Sequence, residues 1–63
     1  MSTEPVRVLI VDDHPVVREG LRALLASLPG FTVVGEAGSR RAAIPLADEA
    51  PPDLVVMDLP LAA

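Results

Sequence analysis

The run Val6-Arg7-Val8-Leu9-Ile10-Val11 is almost unbroken in apolar and β-branched residues, and it stops at two adjacent carboxylates, Asp12 and Asp13. A strand that alternates apolar and polar residues can rest on one face of a sheet. A continuous apolar run fits a strand buried on both faces, as in a parallel sheet with helices on either side. This one stretch narrows the fold class more than any other part of the chain. It also poses a problem, because two neighbouring anions repel each other and resist burial.

The remainder of the sequence supplies the alternation a parallel sheet requires. Val17, Leu21, Leu24, Leu25 and Leu28 form one apolar face of a helix, with Arg18, Glu19 and Arg22 on the other side. Pro15 suits the first helical turn, where its missing N–H costs nothing, and Pro29-Gly30 ends the helix. Phe31 to Glu36 reads as a second strand. Gly38-Ser39 opens a second helix with Ser39 as N-cap and Ala43, Ile44, Ala47 and Ala50 as a weak inner face. Pro45 lies inside that segment, where proline costs about 3 kcal/mol, so a shortened or broken helix is expected. After Pro51-Pro52, with Asp53 at the threshold, Leu54-Val55-Val56-Met57 reads as a third buried strand ending at Asp58.

The order strand, helix, strand, helix, strand implies right-handed crossovers and a parallel sheet. All C-terminal strand ends then share one edge. Asp12, Asp13 and Asp58 converge there if the first and third strands are neighbours, in the crevice where open α/β sheets hold ligands. Three carboxylates around one point suit a hard divalent cation such as Mg2+. Taken singly, Asp12 and Asp13 could be acids of a solvated turn at a helix N-terminus, and His14 a solvated or capping residue.

Composition limits the other options. With 63 residues the chain is one domain at most, near the lower size for a self-sufficient core. It contains no cysteine, hence no disulfide or thiolate metal site, in keeping with a reducing cytoplasm. No apolar run is long enough to span a membrane, and Met1-Ser-Thr-Glu-Pro5 does not have the basic and apolar regions of a signal peptide. The formal net charge of −4, with five scattered arginines, argues against direct nucleic-acid binding. No glycine-rich phosphate loop follows the first strand, which disfavours a nucleotide-binding fragment.

Three segments together resemble a response-regulator receiver domain. Val8 to Pro15 followed by Val17-Arg18-Glu19-Gly20-Leu21 resembles its opening, Val34 to Ala37 its second strand, and Pro52 to Leu59 its third strand. The resemblance is greatest to the branch that carries a LuxR-type helix-turn-helix output domain. It implies a flavodoxin-like fold, here the β-α-β-α-β portion, with residues 1–63 a partial receiver lacking the output domain. By position, Asp58 would be the phosphoacceptor, receiving its phosphoryl group from a histidine kinase or a small phosphodonor. Asp12, Asp13 and Asp58, with the backbone carbonyl of Pro60, would bind Mg2+. The implied chemistry is self-phosphorylation in a two-component phosphorelay, not turnover of a substrate.

The family pattern continues with two more strand–helix units and a final helix, which supply a Ser or Thr and a Lys around the phosphoryl group. This chain contains no lysine, and Leu59-Pro60-Leu61-Ala62-Ala63 replaces the usual Met-Pro-Gly-like turn. Weakened phosphotransfer and self-association through an open sheet edge are therefore expected. The alternative is a phosphorylation-incompetent interaction or dimerisation fragment.

Overall fold

The computed structural model describes residues 4–58. Strand β1 spans Val6–Asp12, helix α1 Pro15–Ser27, strand β2 Phe31–Ala37, helix α2 Arg40–Glu49 and strand β3 Leu54–Asp58. The three strands form one parallel sheet in the order β2-β1-β3. The β-α-β-α-β order and parallel sheet expected from the sequence are present, and they match the corresponding portion of a flavodoxin-like receiver fold. Because the chain steps from β1 to β2 in one direction and from β2 past β1 to β3 in the other, right-handed crossovers place the two helices on opposite faces.

The central position of β1 explains its composition. Val8, Leu9, Ile10, Val11 and Asp12 are all buried, five consecutive residues pointing alternately to the two faces. Leu9 and Val11 pack with Ala37 and Ala43, and Leu46 and Ala47 lie against that cluster. Val8 and Ile10 point to the other face. β2 carries an irregularity: Val8 is opposite Val33 but Leu9 is opposite Gly35, leaving Val34 as an extra residue.

Local signals set the helix ends. Pro15 occupies the first turn of α1, and Gly30 takes φ +90, a left-handed conformation that glycine adopts without Cβ strain. The Gly30 carbonyl then accepts from Val6 N–H at 2.8 Å, fastening the turn to the start of β1. Ser39 caps α2 as expected, its Oγ accepting from Ala42 N–H at 3.1 Å. At the start of β3, Asp53 N–H donates to the Arg7 carbonyl (2.8 Å) and its Oδ2 accepts from Arg7 N–H (2.9 Å).

Three expectations are corrected. α2 is not broken at Pro45 but runs unbroken across it. Proline removes one donor, the N–H that would reach the Arg41 carbonyl, while the Ser39 cap and the burial of Ala43 and Leu46 hold the turns on either side. The inner face of α2 is also shifted, with Leu46 rather than Ile44 against the core; Ile44 is 62% exposed. On α1 only Leu21 and Leu25 of the expected stripe are half-buried, and Val17, Leu24 and Leu28 remain exposed. Among the described residues no helix is long and apolar enough to cross a membrane.

Candidate functional site

The C-terminal edge of the sheet gathers the acids. Asp12 and Asp58 are register partners across β1 and β3, so their side chains share one face. Asp13 is the first residue past β1, and His14 is the N-cap of α1, with φ −104 and ψ 108. Its side chain makes no capping hydrogen bond. It turns instead to the acids: Nδ1 lies 3.0 Å from Asp12 Oδ1 and 2.9 Å from Asp13 Oδ1. The His14 backbone N–H also donates to Asp12 Oδ1 at 2.8 Å.

The two neighbouring acids occupy different environments. Asp12 is fully buried, whereas the Asp13 side chain is 38% exposed. The repulsion anticipated for the pair is thus relieved in two ways: one acid faces solvent, and an imidazole stands between them. The positive end of the α1 dipole lies next to both.

These contacts bias protonation. The hydrogen bond from His14 N–H, helped by the His14 imidazole and Arg18, holds the Asp12 carboxyl below the ordinary carboxylate range, against burial that pushes it up. The hydrogen bond to Asp12 raises the His14 imidazole, followed by the charges of Asp13, Asp12 and Asp58, against partial desolvation.

Arg18 was expected on the outward side of α1, and the structure corrects this. Its Nη1 donates to the Asp12 backbone carbonyl at 2.8 Å, and its Nε lies 3.8 Å from Glu36 Oε1. Arg22 Nε reaches Glu36 Oε2 at 3.1 Å. Both arginines therefore lean toward the end of β2. Gly38 leaves room for this, since a Cβ there would lie 3.1 Å from Arg18 Nη1. A usable signal was in the sequence: helical side chains tilt toward the N-terminus, so a basic residue one turn into α1 points back at the acidic edge.

Asp12, Asp13 and His14 form a compact group whose donor atoms lie within 4.8 Å of one another. Asp58 stands beside this group as the cross-strand neighbour of Asp12 and is exposed. Pro60, expected to offer its carbonyl, lies outside the described residues. The fit to a divalent cation rests on one atom in particular. Asp12 Oδ2 is buried and, among the described residues, has no hydrogen-bond partner. A buried carboxylate oxygen without a partner is costly, and a cation held between Asp12 and Asp13 would satisfy it. Carboxylate oxygens are also the donors that Mg2+ accepts.

Comparison with known proteins bears on the family of the chain. Residues 8–63 match the family described as response regulator receiver domain. The transcriptional regulatory protein YdfI of Bacillus subtilis is 53% identical over 53 residues, covering 84% of this chain and 25% of that protein. The nitrate/nitrite response regulator protein NarL of Escherichia coli K12 is 45% identical over 58 residues, 92% of this chain and 27% of that protein. A protein-glutamate methylesterase/protein-glutamine glutaminase of Anaeromyxobacter dehalogenans is 48% identical over 58 residues, 92% of this chain and 16% of that protein. The chain thus spans about a quarter or less of the length of these relatives.

Proposed function

The chain belongs to the response regulator receiver domain family, and from that premise we propose that Asp58 accepts a phosphoryl group from a histidine kinase or a small phosphodonor. The observation that carries this reading is the register Asp12↔Asp58. It sets an exposed carboxylate beside a buried, cation-ready one. Asp58 is free to meet an incoming group, while Asp12 is anchored by His14 N–H and by Arg18 on its own carbonyl.

In the proposed step a carboxylate oxygen of Asp58 attacks phosphorus and an O–P bond forms. The bond between phosphorus and the donor breaks, and the donor leaves with that electron pair. Asp12 and Asp13, together with Asp58 and the Pro60 carbonyl, would hold Mg2+. When bound, the ion offsets the negative charge that three carboxylates and a phosphoryl group bring together. Arg18 keeps the end of β1 in place by binding the Asp12 carbonyl. The protein is modified once per phosphoryl group and turns over no separate substrate.

For the output we propose transcription control through a LuxR-type DNA-binding domain, following the transcriptional regulator and response regulator among its relatives. The segment itself does not bind nucleic acid in this reading. In this reading it works in the cytoplasm, and it self-associates through the edge of β3 that no described residue covers.

Incubation with Mg2+ and acetyl phosphate, followed by intact-mass measurement, tests the reading. The expected result is a gain of one phosphoryl group that disappears in Asp58→Asn. Mg2+ binding without any adduct would favour the alternative, an interaction or dimerisation fragment that keeps the fold but not the transfer.

A further inference from the structure

His14 is the chain's single histidine, and phosphoryl transfer as proposed above uses its backbone N–H but assigns its imidazole no task. Its position is unusual for a helix N-cap. The imidazole makes no cap and instead places Nδ1 at nearly equal distances from one oxygen of Asp12 and one of Asp13, 3.0 and 2.9 Å. Two donors bound to an ion at about 2.1 Å and at a right angle sit about 3.0 Å apart. Nδ1 meets both oxygens at hydrogen-bond distance, and with the three donor atoms within 4.8 Å of one another a small closure would gather them around one ion. The remaining oxygen of Asp12, buried and without a partner among the described residues, lies on the same carboxylate.

Donor chemistry then decides which ion such a set prefers. Oxygen-only sites suit Mg2+, whereas an imidazole beside carboxylates suits Zn2+, Ni2+, Co2+ and related first-row ions. The His14 side chain is 62% exposed, so on metal binding Nδ1 can release to water the proton it shares with Asp12 and offer its lone pair, while Nε2 keeps its N–H on the solvent side. The backbone holds this arrangement before any ion arrives, because His14 N–H is bonded to Asp12 Oδ1 and Asp12 is fixed at the buried end of β1.

Resting on the reading of this edge as a cation site, we infer that His14 Nδ1 is a metal ligand, which makes the Asp12–Asp13–His14 group a site for a divalent transition ion such as Zn2+ in addition to Mg2+. The carboxylates serve both ions, and the imidazole serves only the transition ion. His14 is thereby the residue that sets metal preference.

Calorimetric titration of the chain with Zn2+ and, separately, Mg2+ tests this. His14→Ala is expected to weaken Zn2+ binding about tenfold or more while leaving Mg2+ within about twofold. Unchanged or tighter Zn2+ binding in His14→Ala overturns the inference, because the imidazole would then be only a cover that any ion displaces. A second measurement needs no variant. With one histidine in the chain, every imidazole signal in the NMR spectrum belongs to His14. Zn2+ should shift those signals in proportion to occupancy, and Zn2+ binding that leaves them unmoved overturns the inference. The acid-site reading fails separately: it falls if Mg2+ does not bind or if Asp13→Asn leaves Mg2+ binding unchanged. Mg2+ that binds through the acids while Zn2+ ignores His14 removes only the present inference.

Discussion

β1 and β3 are nearly the same sentence written twice. Each is a short run of Val, Leu, Ile or Met that closes on an aspartate, and the two aspartates are partners in register. Their surroundings are opposite. β1 has a strand on either side and a helix packed on each face, and its last five residues are buried. Among the described residues β3 pairs only with β1, neither helix packs against it, and four of its five residues are exposed. A carboxylate's chemistry here is set by the strand's place in the sheet. The central strand makes Asp12 a buried, hydrogen-bonded anchor, and β3 leaves Asp58 exposed to solvent, as the proposed acceptor role requires.

The comparison breaks most visibly through core truncation. Ile10 and Val56 are register partners, yet Ile10 is fully buried and Val56 only half-buried. Ile10→Ala should cost about 2–5 kcal/mol through lost burial and the cavity left behind. That is a large part of what a domain this small possesses. Val56→Ala should cost less than half as much, because solvent already reaches the site. Urea denaturation of the two variants checks this. Equal costs would mean that something covers β3 in solution, a second copy of the chain included.

This difference explains what could be read from the residues and what could not. The order of elements was legible because each depends on local signals: continuous β-branched runs, the Pro15 start, the Gly30 stop and the Ser39 cap. The convergence of the acids was legible too, because parallel strands must end on one edge. The contrast between Asp12 and Asp58 was not, since burial depends on which strand lies centrally and on where the helices pack. Pro45 is not legible as harmless from local rules, because one missing hydrogen bond is offset by the packing of Leu46, which only the fold reveals. The contact of Arg18 is not legible in helical periodicity, which describes apolar contact, whereas this side chain reaches along the helix axis to a backbone carbonyl.

A second test compares the two acids through the ion. Ligand that binds only the folded state stabilises it, by about 2.7 kcal/mol at roughly one hundred times its dissociation constant. Mg2+ should raise the melting temperature accordingly. Asp12→Asn should abolish the increase, while Asp58→Asn should retain part of it, because Asp58 stands beside the compact group instead of within it. Thermal melts with and without Mg2+ measure both. Equal loss in the two variants would make the site symmetric between the strands.

The open edge offers a smaller effect. Met57 is 51% exposed on β3, and its register partner Val11 is fully buried. Met57→Lys should change stability by no more than about 0.5 kcal/mol, and it should reduce self-association, since a charge on an edge strand opposes pairing. Size-exclusion chromatography with light scattering reads the second effect. A Met57→Lys chain that associates as the parent does would remove β3 from the interface.

The smallest effect is a titration. In the metal-free chain the folded His14 imidazole is raised above its ordinary value of about 6.5. The folded state then binds the proton more tightly than the unfolded state. Its contribution to stability is fully present below the unfolded value and is lost as pH rises through the raised folded one. Asp12 acts in the opposite direction: its carboxyl is held low, so its contribution is present above the ordinary carboxylate range and is lost as pH falls through the lowered value. Solvent screens the exposed imidazole and keeps the His14 effect small. Its midpoint can be followed in the NMR spectrum with EDTA present. Asp12→Asn should lower that midpoint most, because the hydrogen bond to Asp12 is the leading cause of the rise, and Asp58→Asn should lower it least. A larger fall in Asp58→Asn than in Asp12→Asn would put the imidazole over the edge strand and reverse the assignment of anchor and acceptor.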